Sequence, residues 1–567
     1  MDENRFVQTT RYGDACGNRA GCRIKIPIGK NIMKKLAYIT IFLLLSPVIF
    51  APRANANLAN QNKSGLYVKS IEQVLRLDPD EIDLGIAALI VAEEWSDVLP
   101  GRRYQQRLDD MAYEIRRRID KQKLQNSPKA VNIINEYLYN ELGFKSVTEA
   151  SDANDLFLNS VMDRKKGYCL SLSFLYLAIG ERVGLPLYGV VVPGHFFVRY
   201  DNGSVRFNIE TTSGGGYQDD EAYRKKFNVP QGANDSIYLK NLNKLQSIGC
   251  LFNNLGNVYS QAGNTAAALK ALESAVRINP SLAESRTNLG NIYLQQGRVN
   301  EAIAQYRQAL RIIPDDAKTY NNLGNAYMQQ DWFSDAIGAY EKAIRLDNKA
   351  VDARSNLAIL YSKLGMYDKA VWVLKEAIEI DPSRSQLFSR LASIYFDSGK
   401  YPDAVKEYKR ALQLNHRDTD AHFGLALCYN KLGKYKDEIR SYKDALSVRP
   451  DMASAMINLG NAYFNQKEYD SAIKQYRQAI RFSPDEPIVH YNLGAALSNE
   501  GNFKDAVAPY LKTIELNPQM SEAHHGLGIA YYNLKLYQPA KKHLTIAQQL
   551  GVEVNENLLK SVNRLAK

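Results

Sequence analysis

Reactive and metal-binding side chains are scarce in this chain. Only five cysteines and seven histidines occur among its 567 residues. The sequence also contains no glycine-rich phosphate loop, no dinucleotide-binding fingerprint and no set of metal ligands at the required spacing. We therefore expect no cofactor and no metal site.

An excess of positive charge is also missing from most of the chain. The formal net charge is +11, but residues 1–56 hold nine Lys/Arg against three Asp/Glu, which leaves 63 against 58 in the rest. The remaining surplus is too small for the basic surface of a nucleic-acid-binding protein. We expect no nucleic-acid partner.

The N-terminal residues 1–56 are an extension and a predicted signal peptide. From Met33, two lysines precede an apolar run over 36–50, and Ala-Asn-Ala ends at Ala56. These three parts are typical of a secretory signal peptide, with Met33 as the expected initiator and cleavage after Ala56. The apolar run is short for a membrane span and contains Pro47. We predict an exported protein, periplasmic or extracellular, with no stable membrane span. Anchoring by an uncleaved 36–50 segment is the alternative.

A 34-residue pattern is repeated nine times over residues 249–551. Its clearest mark is a Leu followed by Gly or Ala, first at Leu255 and then every 34 residues as far as Leu527. Small residues let two helices approach closely, a turn glycine ends the first helix, and in most copies a proline ends the second. One helix pair cannot bury its apolar face alone, so the copies must stack into a solenoid. The pattern resembles the tetratricopeptide repeat (TPR), which implies an all-α solenoid of nine helix pairs. Residues 552–567 are predicted to form a C-terminal capping helix.

Asparagines recur on the first helix of these repeats, next to the Leu-Gly pair. First helices line the concave side of such solenoids, so the amides could form a ladder that binds the backbone of an extended peptide. Asparagines at these positions are also common in this repeat type, so their presence without a binding role stays an open alternative. We expect polypeptide segments or proteins as partners in the groove. The predicted binding residues are Asn254, Asn257, Asn288, Asn291, Asn322, Asn325, Asn458 and Asn461.

Residues 57–246 form a separate segment with a mixed pattern. Helical spacing dominates 66–165, and 170–183 is apolar on nearly all sides, as expected for a central helix. Two β-rich runs follow at 188–200 and 205–211, joined by the hairpin signal Asp-Asn-Gly. The sequence therefore predicts an α+β domain.

One cysteine and one histidine occur in this segment, Cys169 and His195. Cys169 begins the central helix, where the helix dipole and unpaired N–H groups favour a thiolate and can hold an oxyanion. His195 can accept the thiol proton and later protonate a leaving amine. Glu210, on the paired strand, is the predicted acceptor for its second ring nitrogen, and Asn208 on the same face is the alternative. An inert buried thiol and a structural histidine remain the competing interpretation.

The string GYCLSLSFLYLAIGERVGLPLYGVVVPGHFFVRY, followed by NIETTSGG, resembles the bacterial Sir-B branch of the transglutaminase-like superfamily. Similarity at 141–144 and 157–167 extends the resemblance over about 66–230. It implies a papain-like domain in which Cys169 is the nucleophile, His195 the base and Glu210 the orienting acid. It also implies Cys-dependent acyl transfer or hydrolysis of an amide or peptide. The alternative is a pseudo-enzyme, a non-catalytic scaffold in which both parts only bind proteins.

Overall fold

The computed structural model describes residues 60–61, 67–96, 101–148, 150, 152–227, 229 and 237–566. The predicted signal peptide over 33–56 lies outside these residues. The chain divides into two compact units at Leu360, and the unit ending there holds the mixed domain and the first helix pairs of the solenoid. Among the described helices, none is long and apolar enough to span a bilayer.

The mixed domain is built around one buried helix. In helix α6 (Cys169–Val183), the twelve consecutive residues from Cys169 to Gly180 are buried, because this helix is apolar on nearly all sides and packs between other helices and a sheet. The helices of the domain are α1 (Ile71–Val74), α2 (Leu84–Trp95), α3 (Gly101–Lys121), α4 (Ala130–Asn135, continued by a π-helical turn at Glu136–Glu141), α5 (Leu158–Arg164), α6 (Cys169–Val183) and α7 (Asp220–Lys226).

An antiparallel four-stranded sheet covers α6, with its strands in sequence order. The predicted hairpin is confirmed, since two backbone N–H groups after the turn donate to Asn202 Oδ1. The predicted run at 188–200 is divided into two strands by a turn at Gly194, which has a positive φ. A further strand, the last of the sheet, was not predicted. It forms because Gly214 and Gly215 adopt positive φ and return the chain, so that Gly216 pairs with Glu210. The strands are β1 (Asn60–Gln61), β2 (Tyr67–Val68), β3 (Lys145–Ser146), β4 (Lys166–Gly167), β5 (Leu187–Val192), β6 (His195–Asp201), β7 (Arg206–Glu210) and β8 (Gly216–Gln218).

The same unit contains three complete helix pairs of the solenoid. Each first helix carries a glycine where the side chain of the second helix approaches. A Cβ at Gly290 would lie 2.6 Å from the ring of Tyr306, and one at Gly324 would lie 2.6 Å from Tyr340. The glycines are therefore needed for close packing. The helices are α8 (Lys244–Gln261), α9 (Thr265–Ile278), α10 (Ala283–Gln295), α11 (Val299–Ile312), α12 (Ala317–Gln329) and α13 (Phe333–Leu346).

The domain and the first helix pair share one hydrophobic core. Trp95 at the end of α2 packs against Phe252 and Tyr259 of α8, with ring centroids 5.7 and 5.9 Å away. Lys244 at the start of α8 forms an ion pair of 2.5 Å with Glu181 on α6. These contacts attach α8 to the domain, and they decide what lies beside Cys169.

The second unit, described from Tyr361, continues the helix pairs. Helix α14 (Val351–Lys363) contains the division between the units. The last helix buries Val562 against Leu544 and Ala547 of the final pair. Its helices are α15 (Tyr367–Ile380), α16 (Ser385–Asp397), α17 (Tyr401–Leu414), α18 (Thr419–Lys431), α19 (Tyr435–Val448), α20 (Ala453–Asn465), α21 (Tyr469–Phe482), α22 (Pro487–Glu500), α23 (Phe503–Leu516), α24 (Ser521–Asn533), α25 (Tyr537–Gln549) and α26 (Glu556–Leu565).

Candidate active site

Cys169 is the first residue of α6, and buried hydroxyl groups hold this end of the helix in place. The N–H of Tyr168 donates to Ser171 Oγ at 3.0 Å, and Ser171 Oγ donates to the carbonyl of Asp155 at 2.6 Å. One turn further, Ser173 Oγ lies 2.9 Å from Thr211 Oγ1, the residue that follows Glu210. The start of α6 and the end of β7 are therefore linked directly. Cys169 itself is 4% exposed.

His195 begins β6 and Glu210 ends β7, and the two side chains meet. The Nε2 atom of His195 lies 2.7 Å from Glu210 Oε2. The hydroxyl of Tyr223 donates to the same oxygen at 2.9 Å, and the N–H of Thr212 donates to Glu210 Oε1 at 3.1 Å. The hydroxyl of Thr212 donates to the same Oε1 at 2.5 Å, so three donors besides the imidazole fix the carboxylate. Nδ1 is the ring nitrogen left for Cys169.

Asn208, the alternative partner for His195, has a different role. The register of β6 and β7 places it opposite Arg199. Its Oδ1 accepts from Arg199 Nε at 2.7 Å, and its Nδ2 donates to Asp220 Oδ1 at 2.7 Å. The amide holds the buried guanidinium and does not contact His195, so this alternative is wrong. The carboxylate beside His195 is Glu210.

His195 and Glu210 stabilise each other's charged forms. Burial alone would lower the pKa of His195, but hydrogen bonds to Cys169 and Glu210 and the charges of both groups raise it from 6.5 to about 9. Burial alone would raise the pKa of Glu210, but His195 and the donors of Thr212 lower it to about 2. At neutral pH the histidine is therefore an imidazolium beside a carboxylate.

Aromatic rings hold the imidazole in its plane. The ring of Phe227 stacks on His195 at 4.7 Å with an angle of 6° between the planes. Tyr223 stacks on Phe197 at 3.9 Å and lies 6.1 Å from the imidazole. The contacts of Phe227 and Tyr223 were not predicted, because these residues come from α7 and the turn after it, beyond the recognised motif. Together they leave His195 little rotational freedom.

A pocket of about 100 Å³ opens at this site. One side comes from the domain and includes Cys169 and His195, and the other comes from the first two solenoid repeats. A larger and more open cavity of about 390 Å³ follows 206–208 and 217–220, but no cysteine or histidine lines it. We therefore take the smaller pocket as the candidate active site. Its solenoid residues are Cys250, Asn253, Asn254, Asn257, Leu282 and Glu284.

Glu284 connects the second repeat to the turn before His195. Its Oε1 accepts from the N–H of Gly194 at 3.0 Å. Burial raises the pKa of Glu284 to about 7, although the Gly194 hydrogen bond opposes this. The β5–β6 turn is thus held by a residue 90 positions away in sequence. No local pattern around Glu284 indicates this contact, so it could not be predicted from the sequence.

The predicted asparagines of the solenoid bond mainly to one another and to tyrosines. Asn322 donates to Asn291 across successive repeats at 3.0 Å, and Asn288 donates to Asn253 at 3.0 Å. Asn254 donates to the carbonyl of Cys250 at 3.0 Å. Tyrosine hydroxyls from the second helices donate to Asn291, Asn325 and Asn461, and Asn458 is buried. These contacts tie neighbouring helices together, and peptide binding by the ladder stays a prediction.

The fold and the site define a two-part protein. Its first part is an α/β domain with a cysteine at a helix N-terminus and a histidine and a carboxylate on adjacent strands. Its second part is a solenoid of helix pairs.

Residues 102–249 match the family model described as "Transglutaminase-like superfamily". Models described as "TPR repeat" match 256–297, 290–331, 392–433 and 460–501, and models described as "Tetratricopeptide repeat" match 327–394, 419–452 and 488–520. The chain therefore carries a transglutaminase-like domain followed by TPR repeats, which confirms the predicted fold class. TPR repeats generally bind peptides or proteins, so the second part is a protein-interaction solenoid.

Similar proteins cover parts of the chain. A "UPF0162 protein" of Xylella fastidiosa is 27% identical over 206 residues, which are 36% of this chain and 73% of the relative. "F-box only protein 21" of Mus musculus is 34% identical over 77 residues, 13% of this chain and 12% of the relative. Among solved structures, MamA is 26% identical with a TM-score of 0.27, covering 29% of this chain and 95% of MamA. The TPR protein YrrB is 24% identical with a TM-score of 0.28, covering 32% and 95%.

Proposed function

We propose that this protein is an exported cysteine enzyme that transfers or hydrolyses the acyl group of an amide or peptide. The observation that carries the proposal is the Cys169, His195 and Glu210 cluster at the start of α6. Cys169 and His195 line one pocket, and the imidazole is held 2.7 Å from the buried carboxylate of Glu210. The TPR solenoid is the proposed binding part for a polypeptide substrate or partner.

The proposed reaction proceeds in two steps. The Cys169 thiolate attacks the carbonyl carbon, and the N-terminal N–H groups of α6 stabilise the oxyanion. The C–N bond then breaks, His195 donates its proton to the leaving amine, and a thioester remains on the sulfur. Water or a second amine attacks this thioester and loses a proton to His195, which releases the free thiolate. Glu210 keeps the imidazole oriented and stabilises its charged form throughout.

A non-catalytic binding scaffold is the second candidate function. One observation favours it, which is that Cys169 is only 4% exposed and lines a pocket of only about 100 Å³. Such a space holds little more than a few water molecules, so a substrate acyl group requires the pocket to widen. A scaffold with an inactive site would keep the same fold and have no such requirement.

Export is the proposal for the location of the protein. It rests on the leader between Met33 and Ala56, whose basic, apolar and small-residue parts are those of a cleaved signal peptide. Anchoring by an uncleaved 36–50 segment is the alternative proposal. In both cases the domain and the solenoid act outside the cytoplasm.

Selective alkylation tests the proposed function. Iodoacetamide at pH 6 should label Cys169 much faster than Cys250 and Cys428, because burial raises the pKa of both other thiols, that of Cys428 to about 12. Peptide mapping by mass spectrometry gives the separate rates. His195→Ala should slow the labelling of Cys169, whereas His422→Ala, a solenoid histidine, should not. Equally slow labelling of all three thiols in the folded protein would leave the scaffold as the function.

A further inference from the structure

One asparagine of the solenoid differs from its equivalents in the other repeats. Four repeats carry an asparagine directly after the Leu-Gly pair. In three of them, a tyrosine hydroxyl from the second helix of the same repeat donates to the asparagine Oδ1. The three pairs are Tyr306 to Asn291 at 2.8 Å, Tyr340 to Asn325 at 2.7 Å, and Tyr476 to Asn461 at 2.8 Å. The tyrosine thus fixes the carboxamide inside the repeat.

The first repeat lacks this tyrosine. Its asparagine is Asn257, and Leu272 occupies the position that Tyr306 has in the next repeat, 34 residues later. The neighbouring amide is also directed elsewhere, because Asn288 donates to Asn253 whereas its equivalent Asn322 donates to Asn291. Among the residues that the structure describes, Asn257 therefore has no side-chain hydrogen-bond partner.

Asn257 is partly buried in the wall of the pocket that contains Cys169 and His195. Two other amides of α8 line the same pocket, and both are engaged. Asn254 donates to a backbone carbonyl at 3.0 Å, and the Oδ1 of Asn253 accepts from Asn288 at 3.0 Å. Asn257 is thus the amide whose donors and acceptor are all available, and it belongs to the repeat that packs on the domain.

We propose that Asn257 is a substrate-binding residue of the Cys169 site, supplied by the first TPR repeat, and that it hydrogen-bonds a peptide group of a polypeptide substrate. This inference rests on the proposed function of Cys169. A carboxamide presents one acceptor and two donors, which match the N–H and C=O of a peptide group. It carries no charge, so it recognises main chain and does not select charged side chains. The solenoid then takes part in the reaction, because its first repeat completes the site.

Two reagents separate substrate binding from thiol reactivity. Methyl methanethiosulfonate is small and has no peptide group, so its rate with Cys169 reports the thiolate alone. Acetyl-trialanyl chloromethyl ketone presents three peptide groups to the pocket and alkylates the same sulfur. The ratio of the two second-order rate constants at Cys169, measured by peptide mapping, therefore isolates the contribution of the binding residues.

Asn257→Leu should lower this ratio by about 3-fold to 10-fold, the range expected for one lost hydrogen bond. Leu272→Tyr should also lower the ratio, because the new hydroxyl should donate to Asn257 as the hydroxyl of Tyr306 donates to Asn291. A tyrosine fits this position, since Gly256 faces Leu272 as closely as Gly290 faces Tyr306. The matched control is Asn291→Leu, which should leave the ratio unchanged but lower thermal stability, because Tyr306 and Asn322 lose their acceptor.

The outcomes distinguish this proposal from the proposed function. If Asn257→Leu leaves the ratio unchanged while Cys169 still reacts faster than Cys250 and Cys428, the role of Asn257 is wrong and the enzyme proposal stands. If Cys169 of the unmodified protein reacts with neither reagent, both proposals are wrong. A fall in both rates by the same factor would also overturn the binding role, since it indicates a disturbed thiol.

Discussion

Replacing Glu210 by glutamine tests the electrostatic design of the candidate site. The amide keeps the size of the side chain and removes its charge. Glu210 Oε2 lies 2.7 Å from His195 Nε2, and both side chains are largely buried. Solvent screens such a pair less than it screens a pair on the surface. The change therefore acts mainly on the charged form of His195.

The size of the effect follows from the pKa of His195. Its rise from 6.5 to about 9 corresponds to about 3 kcal/mol in favour of the imidazolium. Cys169 and Glu210 both contribute, so loss of the Glu210 charge should remove about half or more, about 1.5 to 3 kcal/mol. In the proposed reaction, the reactivity of Cys169 depends on this imidazolium. Alkylation of Cys169 at pH 6 should accordingly slow by about 10-fold or more.

The same change should alter the pH dependence of stability. Because the folded pKa of His195 is raised, its contribution is fully present below pH 6.5 and is lost as the pH rises through about 9. The folded pKa of Glu210 is lowered to about 2, so its contribution is present above pH 4.5 and is lost as the pH falls towards 2. The difference in urea midpoint between the unmodified protein and Glu210→Gln should be largest near pH 6 and should narrow by pH 9.5.

The control is Glu438→Gln, a buried carboxylate of the solenoid that accepts from Asn430 at 3.0 Å. This variant should leave the alkylation rate of Cys169 unchanged. Suppose that Cys169 of Glu210→Gln is alkylated at pH 6 within twofold of its rate in the unmodified protein, and that the variant remains folded by circular dichroism. Glu210 then does not support the imidazolium. Electrostatic support of Cys169 by Glu210 through His195 would then be refuted, although the hydrogen bond between Glu210 and His195 would remain.

Two further predictions concern the solenoid and the N-terminus. Gly290→Ala should lower the urea midpoint by an amount equivalent to about 1 to 3 kcal/mol, because its Cβ would lie 2.6 Å from Tyr306. Gly338→Ala, on an exposed helix position with open space around it, should raise the midpoint slightly, and an equal loss in both variants would contradict the packing argument. Mass spectrometry of the native protein should find an N-terminus at Asn57, and an intact start at Met1 or Met33 would disprove cleavage of the leader.

Much of the fold could be predicted because its signals are local or periodic. The 34-residue spacing of the Leu-Gly pairs predicts the helix pairs, since helix packing requires a small residue at the same place in each copy. Asp-Asn-Gly predicts the β6–β7 hairpin because few residues adopt its backbone angles. Strand β8 was missed, because three residues after a glycine turn carry too little alternation to be recognised.

The sequence by itself determined which residue types were available for chemistry. A single cysteine and a single histidine within 57–246 limit the choice to Cys169 and His195. The sequence did not decide whether Glu210 or Asn208 is the partner of His195, because alternate residues of one strand share a face. The register of β6 and β7 decided between them, since it sets Asn208 opposite Arg199 and leaves Glu210 near His195.

Only the tertiary structure decided what surrounds the site. Phe227 reaches it from the turn after α7, and Glu284 and Asn257 reach it from the solenoid. No sequence motif connects these three residues with Cys169. The sequence does show that Leu272 stands where the next repeat has Tyr306. Whether this difference affects the site depends on which surface the first repeat presents to the domain. That surface is set by the packing of Trp95 on α8. Such packing depends on many long-range contacts. A periodic sequence pattern relates each repeat only to its neighbouring repeats, so it cannot predict how the first repeat packs on the domain.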